Sequence, residues 1–174
     1  FIYLVIRILN MSKGKFSIII PAYSEEDNIG NLLKQIENTF KEEADLEVVL
    51  VDDGSPIALQ DVIKKSQYNL NINIITNRYN LGQSKSIEIG LKNSKGNVIG
   101  LIDADCQNPP GELKKMYDLF NLNSYDAIIS YRKNRKDDFL RKMISKLANL
   151  ILKIFTKSKF KDLGSSLKVI KREC

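Results

Sequence analysis

Apolar and polar positions alternate in blocks along this chain. Residues 16–20 form a β-branched run ending at Pro21, the mark of a buried strand. Between 28 and 40 the period changes. Ile29, Leu32, Leu33, Ile36 and Phe40 recur at three- and four-residue spacing, which predicts a helix. Residues 47–51 predict a second buried strand, stopping at Asp52, Asp53 and Gly54. A short helix carrying Leu59, Val62 and Ile63, a strand over 72–75 and a helix over 83–93 follow. Residues 98–102 predict a fourth strand that stops at Asp103; Pro109, Pro110 and Gly111 then open a helix over 112–120. A strand over 127–130, a long helical pattern over 138–155 and a last strand over 166–170 complete the series.

Strands that are apolar throughout, alternating with helices, imply a doubly wound, mostly parallel sheet with helices on both faces. Residues 1–10 are almost wholly apolar but too short to span a bilayer, and they lack the basic start and cleavage site of a signal peptide. Residues 1–14 are therefore read as an N-terminal extension outside the fold, and 15–174 as one domain. In such sheets ligands bind beyond the carboxyl ends of the strands. The polar clusters fall there: Pro21, Ala22, Tyr23 and Glu25 after the first strand, Asp52 and Asp53 after the second, Asn77 and Arg78 after the third, Asp103 and Asp105 after the fourth.

Two carboxylates two residues apart in extended backbone point to the same side. They repel unless something positive lies between them, and a divalent cation carrying a substrate diphosphate would serve. A polar turn explains such a triplet equally well in isolation; the three companion clusters on one rim favour the ligand. Asp52 or Asp53 could accept hydrogen bonds from a nucleobase or ribose. The Asp-Gly-Ser-Pro order is also strong turn chemistry, so one Asp is expected to hold the loop and the other to face ligand. Gly82, ahead of the helix over 83–93, would permit close approach of a phosphate to the helix N-terminus, though an ordinary cap fits as well. No Gly-x-Gly-x-x-Gly follows the first strand and no P-loop is present, which disfavours a nicotinamide dinucleotide or a P-loop ATPase.

Composition narrows the chemistry. The 174 residues include no histidine, which excludes Ser-His-Asp or Cys-His catalysis and His-dependent zinc sites within this chain. Cys106 and Cys174 make no metal-like spacing, so a reducing cytosolic setting is expected. Net charge is +6, but residues 131–174 hold 14 Lys and Arg against 4 Asp and Glu. That quarter is built to meet something anionic. Its apolar stripe of Leu140, Met143, Ile144, Leu147, Ile151 and Ile154 is flanked by basic residues. Such a stripe suits an anionic membrane surface or a core face beneath solvated charge. No nucleic-acid motif is present.

Four segments, in this order and spacing, resemble the family 2 glycosyltransferases of the GT-A (Rossmann-like) fold: residues 16–25, residues 51–55, Asn80 with Gly82, and Asp103-Ala104-Asp105. Residues 103–110, the run Arg132, Arg135, Arg141, Ser145 and Asn149, and residues 162–168 resemble a narrower branch, the polyisoprenyl-phosphate glycosyltransferases related to dolichyl-phosphate mannose synthase. The resemblance spans residues 15–173. It implies an inverting transferase that moves a sugar from a UDP- or GDP-linked donor to a polyprenyl phosphate at the cytoplasmic membrane face. By the same resemblance Pro21, Ala22, Tyr23, Glu25, Val51, Asp53 and Asp103 hold the nucleotide. Asp103, Asp105 and Gln107 gather Mg2+ or Mn2+, Arg132 joins Asp103 and Asp105 in catalysis, and Arg141 with Ser145 receives the acceptor phosphate. Cys106 stands where leucine is commoner and is expected to point inward. The family's catalytic domain continues well beyond position 174, so its C-terminal part is expected to be missing. The alternatives are a family 2 enzyme acting on a polysaccharide or glycolipid hydroxyl, with Asp162 as candidate base, and an inactive nucleotide-binding or membrane-surface fragment.

Overall fold

The structure, a computed structural model, describes residues 2–7, 15–123, 125–131 and 167–174. Along the chain run β1 (Ile2–Arg7), β2 (Phe16–Ala22), α1 (Ile29–Thr39), β3 (Leu46–Asp52), α2 (Leu59–Ile63), β4 (Ile72–Thr76), α3 (Gln83–Asn93), β5 (Val98–Leu101), α4 (Pro110–Asn123), β6 (Tyr125–Tyr131) and β7 (Lys168–Lys171). All seven strands join one sheet in the order β1-β6-β7-β5-β2-β3-β4. Strands β5, β2, β3 and β4 are mutually parallel, while β7 runs antiparallel to both β5 and β6.

Side-chain alternation divides the core in two. Ile18, Ile20, Val48 and Leu50 face the layer of α1, α2 and α4; Ile19, Val49 and Val51 face α3. A strand clothed on both faces has no solvent side, which is why β3 is buried at every position. On α1 the predicted stripe of Ile29, Leu32, Leu33 and Ile36 is the buried face. Helix α4 starts at Pro110, earlier than its apolar pattern, because proline is preorganised for a first helical turn.

Residues 2–7, expected outside the fold, instead form β1. They pair antiparallel with β6 from Ile2↔Tyr131 to Arg7↔Tyr125, the register shifting between Ile6 and Arg7. Strand β6 would otherwise present an edge of unpaired backbone groups, and a run of β-branched and aromatic residues is suited to covering one. The helical pattern over 138–155 lies outside the described residues.

The chain steps outward from β2 through β3 to β4, then crosses to β5 on the other side of β2. Strand order reverses there, so the loops after β2 and β5 diverge and leave a crevice. Lys168 at the start of β7 pairs with Leu101 at the end of β5 and with Ile129 near the end of β6. Strand β6 therefore ends and β7 begins at the edge that carries the crevice.

The opposite edge is closed by a buried carboxylate. Glu47 Oε1 accepts from Ser17 Oγ at 2.5 Å, from Gly96 N–H at 3.1 Å and from Lys95 N–H, while Lys15 Nζ lies 3.5 Å from Oε2. Arg172, just past β7, donates to the carbonyls of Gly96 (2.6 Å) and Leu91 (2.9 Å) and to Ser94 Oγ (2.6 Å), finishing the C-terminus of α3.

Candidate functional site

Parity along β3 separates the two aspartates that end it. Asp52 shares the face of Val48 and Leu50, and it is fully buried. Its Oδ1 accepts Ser55 N–H at 3.0 Å and its Oδ2 accepts Leu59 N–H at 3.1 Å, closing the turn and capping α2. Asp53 follows on the α3 side. Its Oδ1 accepts Asn77 Nδ2 at 2.7 Å and Leu81 N–H at 3.0 Å, and its Oδ2 accepts Gly82 N–H at 2.8 Å. Burial pushes the Asp53 carboxyl up, but these donors outweigh it and hold it below the usual aspartate range. Asp53 thus organises the loop after β4, and both aspartates hold backbone.

That loop enters α3 through Gly82, at φ 89° and ψ 156°. Gln83, the first residue of α3, sends its Nε2 to Asp103 Oδ1 at 2.8 Å. On the other wall, the Glu25 carboxylate accepts Asn28 Nδ2 at 2.7 Å, and the Glu25 carbonyl accepts the N–H groups of Asn28 and Ile29 at the start of α1.

Strand β5 ends at Leu101, so Asp103 lies just past the strand, and a turn begins at Ala104 and includes Asp105. Both residues line the same cleft. Cys106 adopts a left-handed φ of 58°, and its thiol points to the Asn28 carbonyl at 3.6 Å, packing inward against the core as expected. Burial, with Asp105 and Glu25 nearby, pushes that thiol up. The left-handed residue redirects the chain between Asp105 and Gln107. Gln107 is exposed and contributes its N–H to Asp105 Oδ1 at 3.0 Å.

These loops enclose a cleft of about 330 Å³ at the switch point. Pro21 and Ala22 at the end of β2 and Tyr23 and Glu25 in the loop after it line one side, and Asp53 lines it from just past β3. Asn80, Gly82, Gln83 and Ser86 line it from the start of α3, and Asp103, Ala104 and Asp105 from the β5 loop. Two expected residues stand outside the lining. Val51 is sealed in the sheet, its side chain packed on the α3 face, and Gln107 is exposed beside the cleft loop without lining the cleft. Arg132, Arg141, Ser145 and Asp162 lie outside the described residues. Ser86 was missed in sequence: it is a fully buried polar residue one turn into α3, and periodicity carries no signal for it.

Among the described residues no three His, Cys, Asp or Glu side chains group as a ready-made metal cage. Asp53 is committed to its loop and the Glu25 carboxylate is bonded to Asn28, so Asp103 and Asp105 on the β5 loop are the candidate carboxylate pair for an ion. A pair of carboxylates fits a hard cation that takes one or two of them and completes its shell with phosphate and water. No helix among the described residues is long and apolar enough to cross a membrane.

Comparison with known proteins agrees with this geometry. An undecaprenyl-phosphate 4-deoxy-4-formamido-L-arabinose transferase from Pseudomonas fluorescens is 36% identical over 160 residues, covering 90% of this chain and 46% of that protein. A dodecaprenyl-phosphate galacturonate synthase from Rhizobium johnstonii is 31% identical over 159 residues, covering 89% and 47%. The chain spans about half the length of the curated relatives it matches. Among solved structures, a Pyrobaculum calidifontis mannosyltransferase in complex with GDP-Man and Mn2+ superposes at a TM-score of 0.68 and 19% identity, over 93% of this chain and 46% of its own. The S. aureus TarS protein in complex with UDP-GlcNAc superposes at 0.62 and 21%, over 91% and 45%. The fold is that of the GT-A glycosyltransferases. The model of the family described as glycosyl transferase family 2 matches residues 17–173. With nearly its whole length matched and its cleft at the place the fold reserves for ligand, the chain belongs to glycosyl transferase family 2.

Proposed function

We propose that this chain is part of the catalytic domain of an inverting glycosyltransferase that moves a sugar from a nucleoside-diphosphate sugar to a polyprenyl phosphate, working peripherally at the cytoplasmic membrane face. The observation that carries this is the convergence of four loops on one cleft, with the Asp103 and Asp105 carboxylates on one wall and the nucleotide-side residues Pro21, Ala22, Tyr23, Glu25 and Asp53 around it. The relatives that name undecaprenyl and dodecaprenyl phosphate support the acceptor class.

Asp103 and Asp105 would hold Mg2+ or Mn2+ on the donor diphosphate, where the ion supplies neutralisation of the leaving group's charge. Gln107, through its N–H on Asp105, steadies that carboxylate. Arg132, the residue after β6, adds a permanent cation for the same diphosphate. The bond from the anomeric carbon to the diphosphate oxygen breaks as a lipid-phosphate oxygen bonds to that carbon from the opposite face. A phosphate monoester, with a second pKa of about 6, is already largely ionised near neutrality and needs no strong base. That suits a chain without histidine. Arg141 and Ser145 receive the acceptor phosphate. The described strands β6 and β7, which flank the basic segment in sequence, end and begin at the carboxyl edge, and the segment's charge suits an anionic leaflet.

The test is transfer from a panel of labelled UDP- and GDP-sugars to undecaprenyl phosphate, beside oligosaccharide acceptors. The expected product is lipid-linked sugar, falling about a hundredfold or more in Asp103→Ala and Asp105→Ala. Transfer to oligosaccharide alone would overturn the acceptor, and nucleotide binding without any transfer would point to an inactive fragment.

A further inference from the structure

We propose that Gln83 is a positioning residue for Asp103, holding the first carboxylate of the cleft in the orientation that a divalent cation requires. The inference rests on the cation reading of the cleft given above. Its basis is the hydrogen bond from Gln83 Nε2 to Asp103 Oδ1 at 2.8 Å, which spans from the first residue of α3 to the turn after β5. Both residues line the cleft.

The anchor of that bond is set by what precedes it. Gly82 N–H is held by Asp53 Oδ2 at 2.8 Å and by Asn80 Oδ1 at 3.1 Å, so the backbone that launches the Gln83 side chain is tied to β3. A continuous set of contacts therefore runs from Asp53 on the nucleotide side, through Gly82 and Gln83, to Asp103 on the cation side. The Gln83 side chain is exposed, so it contributes little to packing, and a single neutral hydrogen bond there adds little to stability. Its consequence is orientation. Carboxylates that bind metals are commonly held by hydrogen bonds from neighbouring groups, which are part of the site's affinity. An amide suits this place because it is a neutral donor: it fixes one oxygen of Asp103 while leaving the negative charge for the ion. A lysine would hold the same oxygen but compete with the cation by charge.

Titration calorimetry on the full chain tests this with Mn2+ added in the presence of saturating UDP or GDP, whichever wild type binds, and with nucleotide alone. Gln83→Met keeps the length and removes the donor. It should raise the Mn2+ dissociation constant about tenfold or more, well beyond any change in metal-free nucleotide binding, with the thermal midpoint as in wild type. Gln83→Ala should do the same. Wild-type Mn2+ affinity in the Met variant overturns the assignment, as does an affinity loss that tracks a lowered thermal midpoint in both variants. If wild-type nucleotide binding does not respond to Mn2+ or Mg2+, the cation reading of the cleft fails and this inference with it. If wild type responds and the Met variant matches it, only the role of Gln83 fails.

Discussion

Gly54 and Gly82 both occupy left-handed backbone, but for separable reasons. At Gly54, with φ 75°, a Cβ would sit 2.7 Å from the Tyr79 carbonyl carbon and 2.8 Å from its Cα. At Gly82, with φ 89°, it would meet nothing within 4 Å. Gly82→Ala should therefore cost only its backbone strain, about 1–3 kcal/mol. Gly54→Ala should cost more, because the backbone it strikes belongs to the loop that Asp53 holds against the cleft. Urea unfolding compares the two, and nucleotide titration should show the larger loss in Gly54→Ala; equal losses would mean that the Tyr79 approach does not matter. The residue scale is also where sequence reading reached its limit. That a turn follows β3 was legible because Asp-Gly-Ser-Pro is a local signal, but not that Asp52 is the residue that closes it. The duty of Asp53 was not, since its partners Asn77, Leu81 and Gly82 are brought to it by the β3–β4 pairing. Gln83 was invisible as an Asp103 partner for the same reason: the contact is made across twenty residues by the crossover to β5.

Helices and strands were far more legible than their arrangement, because burial on one face or both leaves a period in the sequence. Helix α3 occupies its predicted range, and β2, β3 and β5 fall where their apolar runs do. What no periodicity encodes is neighbour order, so the antiparallel β7 between β5 and β6, and β1 on the open edge of β6, emerged only in the structure. The amino edge of the sheet shows how few residues lock such an order. Glu47, buried between β2, β3 and the turn before β5, is pushed up by desolvation but held below the ordinary glutamate range by Ser17, the N–H groups of Lys95 and Gly96, and Lys15. A carboxyl lowered on folding adds stability that is complete above its unfolded value, about 4.3, and that drains away as pH falls through the folded one. Glu47→Gln should cost about 2 kcal/mol near neutral pH, from loss of hydrogen bonds to a charged acceptor. The cost should shrink as the medium is acidified below the unfolded value, where wild type loses the same charge. Thermal midpoints of both proteins between neutral and strongly acidic pH read this directly. A gap between them that stays constant through the acid range would remove Glu47 from the acid response.

The molecule as a whole is organised by which edge of the sheet each connection uses. Loops after β2, β3, β4 and β5 build the cleft within residues 21–105, all on the carboxyl edge. Strand β6 ends and β7 begins on that edge as antiparallel neighbours, with Ser130 N–H on the Leu167 carbonyl at 3.1 Å, and the sequence between them is residues 132–166. Strands so paired need only a tight turn to join them, so a connection of this length is not demanded by the sheet. It holds 11 of the chain's 27 basic residues, together with every residue assigned to the acceptor phosphate. This division of labour yields a prediction about separability. Replacing residues 133–165 with a short glycine-containing turn, keeping Arg132, should leave nucleotide binding that still responds to Mn2+, because its carboxylates and loops are untouched. The same chain should form no lipid-linked sugar and should lose binding to anionic vesicles. Wild-type vesicle binding should itself weaken as salt is raised, since attraction between basic residues and an anionic surface is screened over about 8 Å at physiological ionic strength. Co-sedimentation with phosphatidylglycerol vesicles, run beside nucleotide calorimetry on the shortened chain, separates the two halves. Lipid-linked product from the shortened chain would place the acceptor site among the described residues, and loss of Mn2+-dependent nucleotide binding with the fold intact would place part of the donor site in the segment removed.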